Sequence, residues 1–188
     1  MAVESTMLPL GTQAPDFRLT DTVSGRVVGL DELTGSALVV MFICNHCPYV
    51  KHVQQGLVEV GKDYADKDVS IVGIGSNDAV NYPDDSPENL GAVARQYGYT
   101  FPVLFDETQE VAKAYTAACT PDFFVFGPDR KLFYRGRFDE SRPNSGIPVT
   151  GVDLRAAVDA VLAGAGAPAG QYPSMGCSIK WKPGNEPQ

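Results

Sequence analysis

Hydrophobic residues along this chain gather in short runs that are separated by polar segments containing glycine and proline. The runs 37–43 and 69–75 are almost continuously apolar and rich in branched residues. Runs without polar alternation are typical of parallel strands that are buried on both faces of a sheet. We therefore predict two central strands at these positions.

Helical periodicity follows the first run, where apolar residues recur about every 3.6 positions. These residues are Val50, Val53, Leu57, Val58 and Val60. A second helix is predicted to begin at Pro87 with Ser86 as its N-cap, and to end near Tyr97 because Gly98 follows. Two more helices are predicted over 110–115 and over 152–162, the last with Thr150 as its cap.

The remaining apolar runs predict short strands. Segment 14–19 leads into one strand ahead of a turn at 24–25, and 101–105 forms another. The runs 122–126 and 132–136 flank the turn Gly127-Pro128-Asp129-Arg130 and predict a hairpin.

Strands that alternate with helices and then end in a hairpin indicate one α/β domain. We predict a central mixed sheet with helices on both faces, preceded by an N-terminal β extension. The domain is predicted to span 1–165. Residues 166–188 are rich in Gly, Ala and Pro at their start, and we predict a C-terminal tail packed on the domain.

Composition narrows the function class. With 44% hydrophobic and 20% charged residues, the 188-residue chain has the composition of an ordinary globular protein. Its formal net charge of −8 argues against nucleic acid and anionic membranes as partners. The segment 1–6 has an acidic residue and no basic one, so we predict no secretory signal and a cytoplasmic location.

Two of the four cysteines, Cys44 and Cys47, form a Cys-x-x-Cys pair where the first buried strand gives way to the first helix. Thiol exchange requires a thiolate, and the unpaired amides of a helix N-terminus stabilise an anion. The spacing also lets a second sulfur resolve a mixed disulfide on the first. We predict Cys44 as the nucleophile at the exposed mouth of the helix, with Cys47 resolving from its first turn.

His46 lies between the two cysteines, where a protonated imidazole would favour a thiolate. The alternative is an exposed polar residue at a helix start. Zinc binding is a competing interpretation of the pair, but a structural zinc site needs four ligands and no second such pair exists. His52, further along the helix, is predicted to be a surface residue, and we predict no metal site.

Thr120-Pro121 precedes the apolar strand 122–126, where a proline's missing N–H is tolerated. A cis bond here would expose the Thr120 backbone to a bound extended chain. Together with Ala14-Pro15-Asp16-Phe17 and Phe42-Ile43-Cys44-Asn45-His46-Cys47-Pro48, these residues resemble the thioredoxin superfamily, in its redoxin or AhpC/TSA-like (peroxiredoxin-like) branch. The resemblance covers most of 8–163. It implies a nucleophile at Cys44, a resolving Cys47, a cis-Pro121 and a docking surface at Thr120 and Pro121.

The chain departs from its relatives in ways that bear on activity. Thioredoxin has Gly-Pro between its cysteines, whereas Asn45-His46 resembles the oxidising members of the superfamily. Peroxiredoxins use Pro-x-x-x-Thr/Ser-x-x-Cys, and counting back from Cys47 places Cys44 at the hydroxyl position and Val40 at the proline position. The usual peroxidase motif is therefore absent. Copper-delivery relatives need a distant histidine ligand, which this chain lacks.

The two other cysteines are candidate auxiliary thiols. Cys119 precedes Thr120-Pro121, and is either a third redox partner or a small packed residue. Cys177 lies in the tail near Trp181; it could act as a second resolving thiol, pair with Cys119, or simply anchor the tail.

The sequence thus predicts a thiol–disulfide oxidoreductase without an organic cofactor, acting on protein or small-molecule disulfides and served by a reducing thiol system. Alternatives are a thiol-dependent peroxidase and a copper or zinc binding or delivery module.

Overall fold

The strand that leads to the cysteine pair is the centre of the computed structural model, which describes residues 1–188. Every residue of this strand, Ala37–Phe42, is buried. Alternate side chains enter two apolar clusters, with Val39 and Met41 on one face and Val40 and Phe42 on the other. The prediction of a strand buried on both faces is confirmed.

Ten strands, four α-helices and two short 3-10 helices, Leu30–Glu32 and Pro83–Asp85, make up the fold. The strands are β1 (Ala2–Glu4), β2 (Arg18–Asp21), β3 (Val27–Gly29), β4 (Ala37–Phe42), β5 (Val69–Gly75), β6 (Val103–Phe105), β7 (Cys119–Thr120), β8 (Asp122–Phe126), β9 (Leu132–Gly136) and β10 (Met175–Ser178). The helices are α1 (Pro48–Asp63), α2 (Pro87–Tyr97), α3 (Glu110–Ala114) and α4 (Val152–Leu162). No helix is long and apolar enough to cross a membrane.

The main sheet has seven strands in the order β3-β2-β6-β5-β4-β8-β9. β4, β5 and β6 are parallel, whereas β2, β8 and β9 run antiparallel to their neighbours. α1, α2 and α4 contribute to the apolar cluster on one face, and α3 packs into the cluster on the other. The predicted mixed α/β sheet covered on both faces is therefore confirmed.

The helix ends follow from local chemistry. The Ser86 hydroxyl accepts the Asn89 amide and Gly98 ends α2 in the left-handed conformation, as predicted. The prediction of Thr150 as the cap of α4 is wrong. Gly151, with φ of +68°, is the N-cap, and the Asp139 carboxylate accepts the Thr150 and Gly151 amides instead.

The tail contributes a strand, β10, that was not predicted. β10 lies between β1 and β7 in a second, three-stranded antiparallel sheet. Its register places Cys177 opposite Thr120, and Ser178 opposite Cys119. β6 is shorter than the predicted 101–105 strand, beginning after Pro102, which has no amide to donate.

Candidate active site

The cysteine pair lies in the loop between β4 and α1. Helix α1 begins at Pro48, so Cys47 is its N-cap and Cys44 lies three positions earlier in the loop. Proline favours the first helical position because it has no amide to leave unpaired. Both cysteines are buried, with exposed fractions of 3% for Cys44 and 0% for Cys47. The predicted exposed position of Cys44 and first-turn position of Cys47 are therefore wrong.

Thr120 touches both sulfurs from the neighbouring strand β7. Its hydroxyl oxygen lies 3.2 Å from Cys44 Sγ, and its carbonyl oxygen lies 3.2 Å from Cys47 Sγ. The peptide bond from Thr120 to Pro121 is cis, as the family resemblance implies. The structure thus brings the pair and the predicted docking residues together.

The two thiols are free and interact directly. The hydrogen bond from the Cys44 thiol lowers the pKa of Cys47 to about 4, helped by Cys177 and the Val50 amide and opposed by burial. When protonated, the Cys47 thiol donates to the Thr120 carbonyl oxygen. The pKa of Cys44 is raised by its hydrogen bond to Cys47, by burial and by the nearby Asp85 carboxylate.

These shifts place the thiolate on Cys47 rather than on Cys44, which the sequence predicts as the nucleophile. The main cause is the interaction between the two thiols, which lowers the pKa of Cys47 and raises that of Cys44.

Asp85 fixes the shape of the loop and was not among the predicted site residues. This buried carboxylate accepts the backbone amides of Asn45 and His46 at 2.7 and 3.2 Å, and the Asn77 side-chain amide at 2.9 Å. It also contacts the His46 ring through Nδ1. Asp85 lies 38 to 41 positions from the pair's own residues, so no local pattern pointed to it.

The His46 ring lies beside the pair but faces Asp85 rather than a sulfur. It also stacks on Tyr82, with the two ring centroids 5.6 Å apart. Its predicted effect on the thiolate would therefore act by neutralising the carboxylate that raises the pKa of Cys44.

Three donor atoms near the loop could hold a metal ion. The Cys44 sulfur, a His46 nitrogen and an Asp85 oxygen lie within 4.8 Å of one another. Both Asp85 oxygens are already engaged by hydrogen-bond partners, and a closed zinc site needs a fourth ligand. His52 is remote from this cluster and pairs with the Ser141 hydroxyl at 3.0 Å.

The two auxiliary thiols differ in their surroundings. Cys119 is fully buried; its thiol faces the Pro121 carbonyl oxygen at 3.7 Å, and burial raises its pKa. Cys177 is half-buried on β10 and interacts with Cys47. The backbone of Thr120, predicted to be open to a bound chain, is instead paired with β10.

Asp122 is a buried carboxyl just beyond Pro121. Neither of its oxygens has a hydrogen-bond partner. Burial raises its pKa well above the usual range, although the nearby Ala118 and Phe123 amides act in the opposite direction. Asp122 is therefore neutral in the folded protein at pH values where it ionises in the unfolded chain.

Comparison with known proteins is consistent with this geometry. The AhpC/TSA family model matches residues 10–135. A crystal structure of an uncharacterized conserved protein from Geobacillus kaustophilus is 61% identical, covers 97% of each chain and superposes with a TM-score of 0.96. A thiol:disulfide interchange protein of the thioredoxin family from Chlorobium tepidum TLS shares the fold, with a TM-score of 0.62 at 20% identity over 82% of this chain and 99% of that one.

Thiol-disulfide oxidoreductase ResA of Bacillus subtilis (strain 168) is 29% identical over 122 residues. The match covers 65% of this chain and 64% of the relative's length.

The ultraviolet absorbance of the thiolate, followed against pH on reduced protein, tests the assignment to Cys47. We expect a step with a midpoint at pH about 4 that is absent in Cys47→Ser. In Cys44→Ala the step should remain but move to higher pH, because the thiolate loses its main hydrogen-bond donor. A step that disappears in Cys44→Ala and survives in Cys47→Ser would place the thiolate on the other sulfur.

Asp122→Asn tests the neutral buried carboxyl through the pH dependence of stability. The pKa of Asp122 is higher in the folded protein than in the unfolded chain, where it is about 4. The wild type therefore loses stability as the pH rises between these two pKa values, by about 1.4 kcal/mol per pH unit. Asparagine does not titrate, so the variant should gain on the wild type over the same range. Urea unfolding of both proteins at several pH values measures this, and parallel curves would contradict it.

Proposed function

The chain belongs to the AhpC/TSA family, and because two of its cysteines form an interacting pair at a helix N-terminus, we propose that it is a thiol–disulfide oxidoreductase. The observation that carries the proposal is the position of both sulfurs against Thr120, at 3.2 Å from its hydroxyl and carbonyl oxygens, beside a cis Thr120-Pro121 bond. Two neighbouring thiols, one of them with a lowered pKa, are the arrangement that a reversible disulfide requires.

The two pKa shifts assign different roles to the sulfurs. In the disulfide form, a substrate thiolate attacks Cys44 Sγ; the bond to Cys47 breaks, and Cys47 leaves as the stabilised thiolate. A second substrate thiolate then attacks the substrate sulfur of this mixed disulfide and releases Cys44, which takes up a proton. Two substrate thiols are oxidised to a disulfide, and the pair is reduced to a dithiol.

The same shifts favour an oxidising pair. Stabilising the Cys47 thiolate stabilises the reduced protein, and a stabilised reduced form makes the disulfide a stronger oxidant. Asp85 holds the loop, and a protonated His46 ring on that carboxylate would offset its effect on Cys44. His46 thus keeps its predicted tuning role within the proposal, and Thr120 positions both sulfurs.

The name of the Bacillus subtilis relative supports this activity. We propose protein or small-molecule thiols and disulfides as substrates, with no organic cofactor. The negative net charge continues to argue against nucleic acid and anionic membranes. The cytoplasmic location stays a prediction.

A peroxidase is the second candidate, and it is favoured by the low pKa of Cys47 in a chain of this family. The Cys47 thiolate would attack the peroxide O–O bond, become a sulfenic acid and release water or an alcohol. Cys44 would then condense with that sulfenic acid, forming the disulfide and releasing water. Against this candidate stands the loss of the peroxiredoxin hydroxyl and proline, replaced by Cys44 and Val40.

The proposal is tested by equilibrating the protein with glutathione buffers and locating its disulfides. The samples are quenched with acid, alkylated and analysed by peptide mapping. We expect a reversible two-electron bridge between Cys44 and Cys47, with a potential less negative than thioredoxin's value of about −270 mV. Catalysed oxidation of a dithiol peptide by glutathione disulfide should fall to the uncatalysed rate in Cys47→Ser.

Thermal unfolding of the same variant separates loss of the thiol from loss of the fold. Absence of the bridge at every glutathione ratio would refute the proposal. The peroxidase would be favoured if the protein consumes peroxide rapidly, yields a trapped sulfenic acid at Cys47 and fails to oxidise the peptide.

A further inference from the structure

The C-terminal strand holds a third cysteine against the pair by several independent contacts. β10 is paired on both sides, with β1 and with β7. The Ser174 hydroxyl donates to the Pro121 carbonyl at 2.5 Å, and the Lys180 amide donates to the Asn77 side chain at 2.8 Å. A Cβ at Gly176 would overlap the Thr120 carbonyl oxygen, so only glycine allows this approach. Cys177 is therefore positioned by the fold.

Cys47 is the central sulfur of three. The register of β10 places Cys177 opposite Thr120, whose carbonyl oxygen lies 3.2 Å from Cys47 Sγ. The thiols of Cys44 and Cys177 and the Cys177 backbone amide each lower the pKa of Cys47. Cys44, in contrast, interacts with Cys47, Thr120 and Asp85. Cys47 can thus bond to Cys44 or to Cys177.

The three thiols differ in their access to solvent. Cys44 and Cys47 are buried, whereas Cys177 is half-buried. Burial and the charge of Cys47 raise the pKa of the Cys177 thiol. The ammonium group of Lys180, three residues further on, lowers that pKa and so favours the Cys177 thiolate. Cys177 is the thiol that a molecule in solution reaches first.

We propose that Cys177 is a third redox thiol, which exchanges a disulfide with Cys47 and so connects the buried pair to low-molecular-weight thiols and disulfides. This inference rests on the proposed oxidoreductase function. It also assigns the tail a part in the reaction, rather than only in packing.

Reoxidation of the reduced protein by a small disulfide takes three exchange steps. The Cys177 thiolate attacks the external disulfide, forming a mixed disulfide and releasing one external thiolate. The Cys47 thiolate attacks Cys177 Sγ, forming the Cys47–Cys177 bond and releasing the second external thiolate. Cys44 then gives up its proton and attacks Cys47 Sγ, so that the Cys44–Cys47 bond forms and Cys177 leaves and is protonated.

The last step proceeds in this direction because its product places both bridged sulfurs in the interior, whereas Cys177 is half-buried. External disulfide is reduced to two thiols, and the protein dithiol is oxidised.

The variant Cys44→Ser tests the connection between Cys47 and Cys177. The variant is equilibrated with glutathione and glutathione disulfide, and its disulfides are then located by peptide mapping without reduction. We expect a Cys47–Cys177 bridge as the main intramolecular product. Glutathione adducts without that bridge, or a bridge from Cys47 to Cys119, would overturn the proposal.

The rate at which glutathione disulfide oxidises the reduced protein provides the second test. In Cys177→Ser we expect formation of the Cys44–Cys47 bridge to slow by about tenfold or more. Ser178→Ala, on the same strand, is the matched control and should keep the wild-type rate. A wild-type rate in Cys177→Ser would overturn the proposal.

The two proposals fail in different ways. If the Cys44–Cys47 bridge does not form in the wild type or in Cys177→Ser, the oxidoreductase function itself is wrong. If that bridge forms normally and only the bridge to Cys177 is missing, the pair functions without the tail.

Discussion

The site depends on one constraint, which is that a buried sulfur carries a negative charge. An anion away from water is tolerated only when hydrogen-bond donors surround it. Cys47 receives them from three separate parts of the chain: Cys44 in the loop, the Val50 amide in α1, and Cys177 in the tail. Asp122 lies two residues after Thr120, which touches both sulfurs. Neither Asp122 oxygen has a hydrogen-bond partner, and this carboxyl is held neutral instead. The supply of donors, rather than burial alone, therefore decides which group is charged.

Asn77 connects the cysteine loop to the tail. Its side-chain amide donates to Asp85, which holds the loop, and its side-chain oxygen accepts the Lys180 amide just beyond β10. The Lys180 carbonyl in turn accepts the Asp78 amide and the Gln109 side chain. The loop that carries Cys44 and the strand that carries Cys177 are thus held by one continuous polar network. This explains how two remote segments can present thiols to the same central sulfur.

Hydrophobic periodicity was sufficient to predict the main sheet, because β4, β5 and the β8–β9 hairpin are defined by local runs of apolar residues. The Cys-x-x-Cys pair and Thr120-Pro121 were likewise visible as short motifs. Asp85 and β10 were not, since their places depend on partners far away in sequence. Met175–Ser178 has no strand pattern of its own and becomes a strand by pairing with Ala2–Glu4 and Cys119–Thr120. Which of the two sulfurs is the thiolate depends on contacts with Thr120 and Cys177, which lie far along the chain from the pair and which no spacing in the sequence predicts.

Thermodynamic linkage joins the tail to the redox state of the pair. The tail lowers the pKa of Cys47 by donating hydrogen bonds to its sulfur, so the thiolate must strengthen tail binding by the same free energy. Forming a disulfide at Cys47 removes the charge and with it this contribution. The contacts of Ser174 and Lys180 do not involve the sulfur, so they hold the strand in both states. The oxidised protein therefore keeps β10 in place while the Cys177 side chain loses its interaction with a charged sulfur.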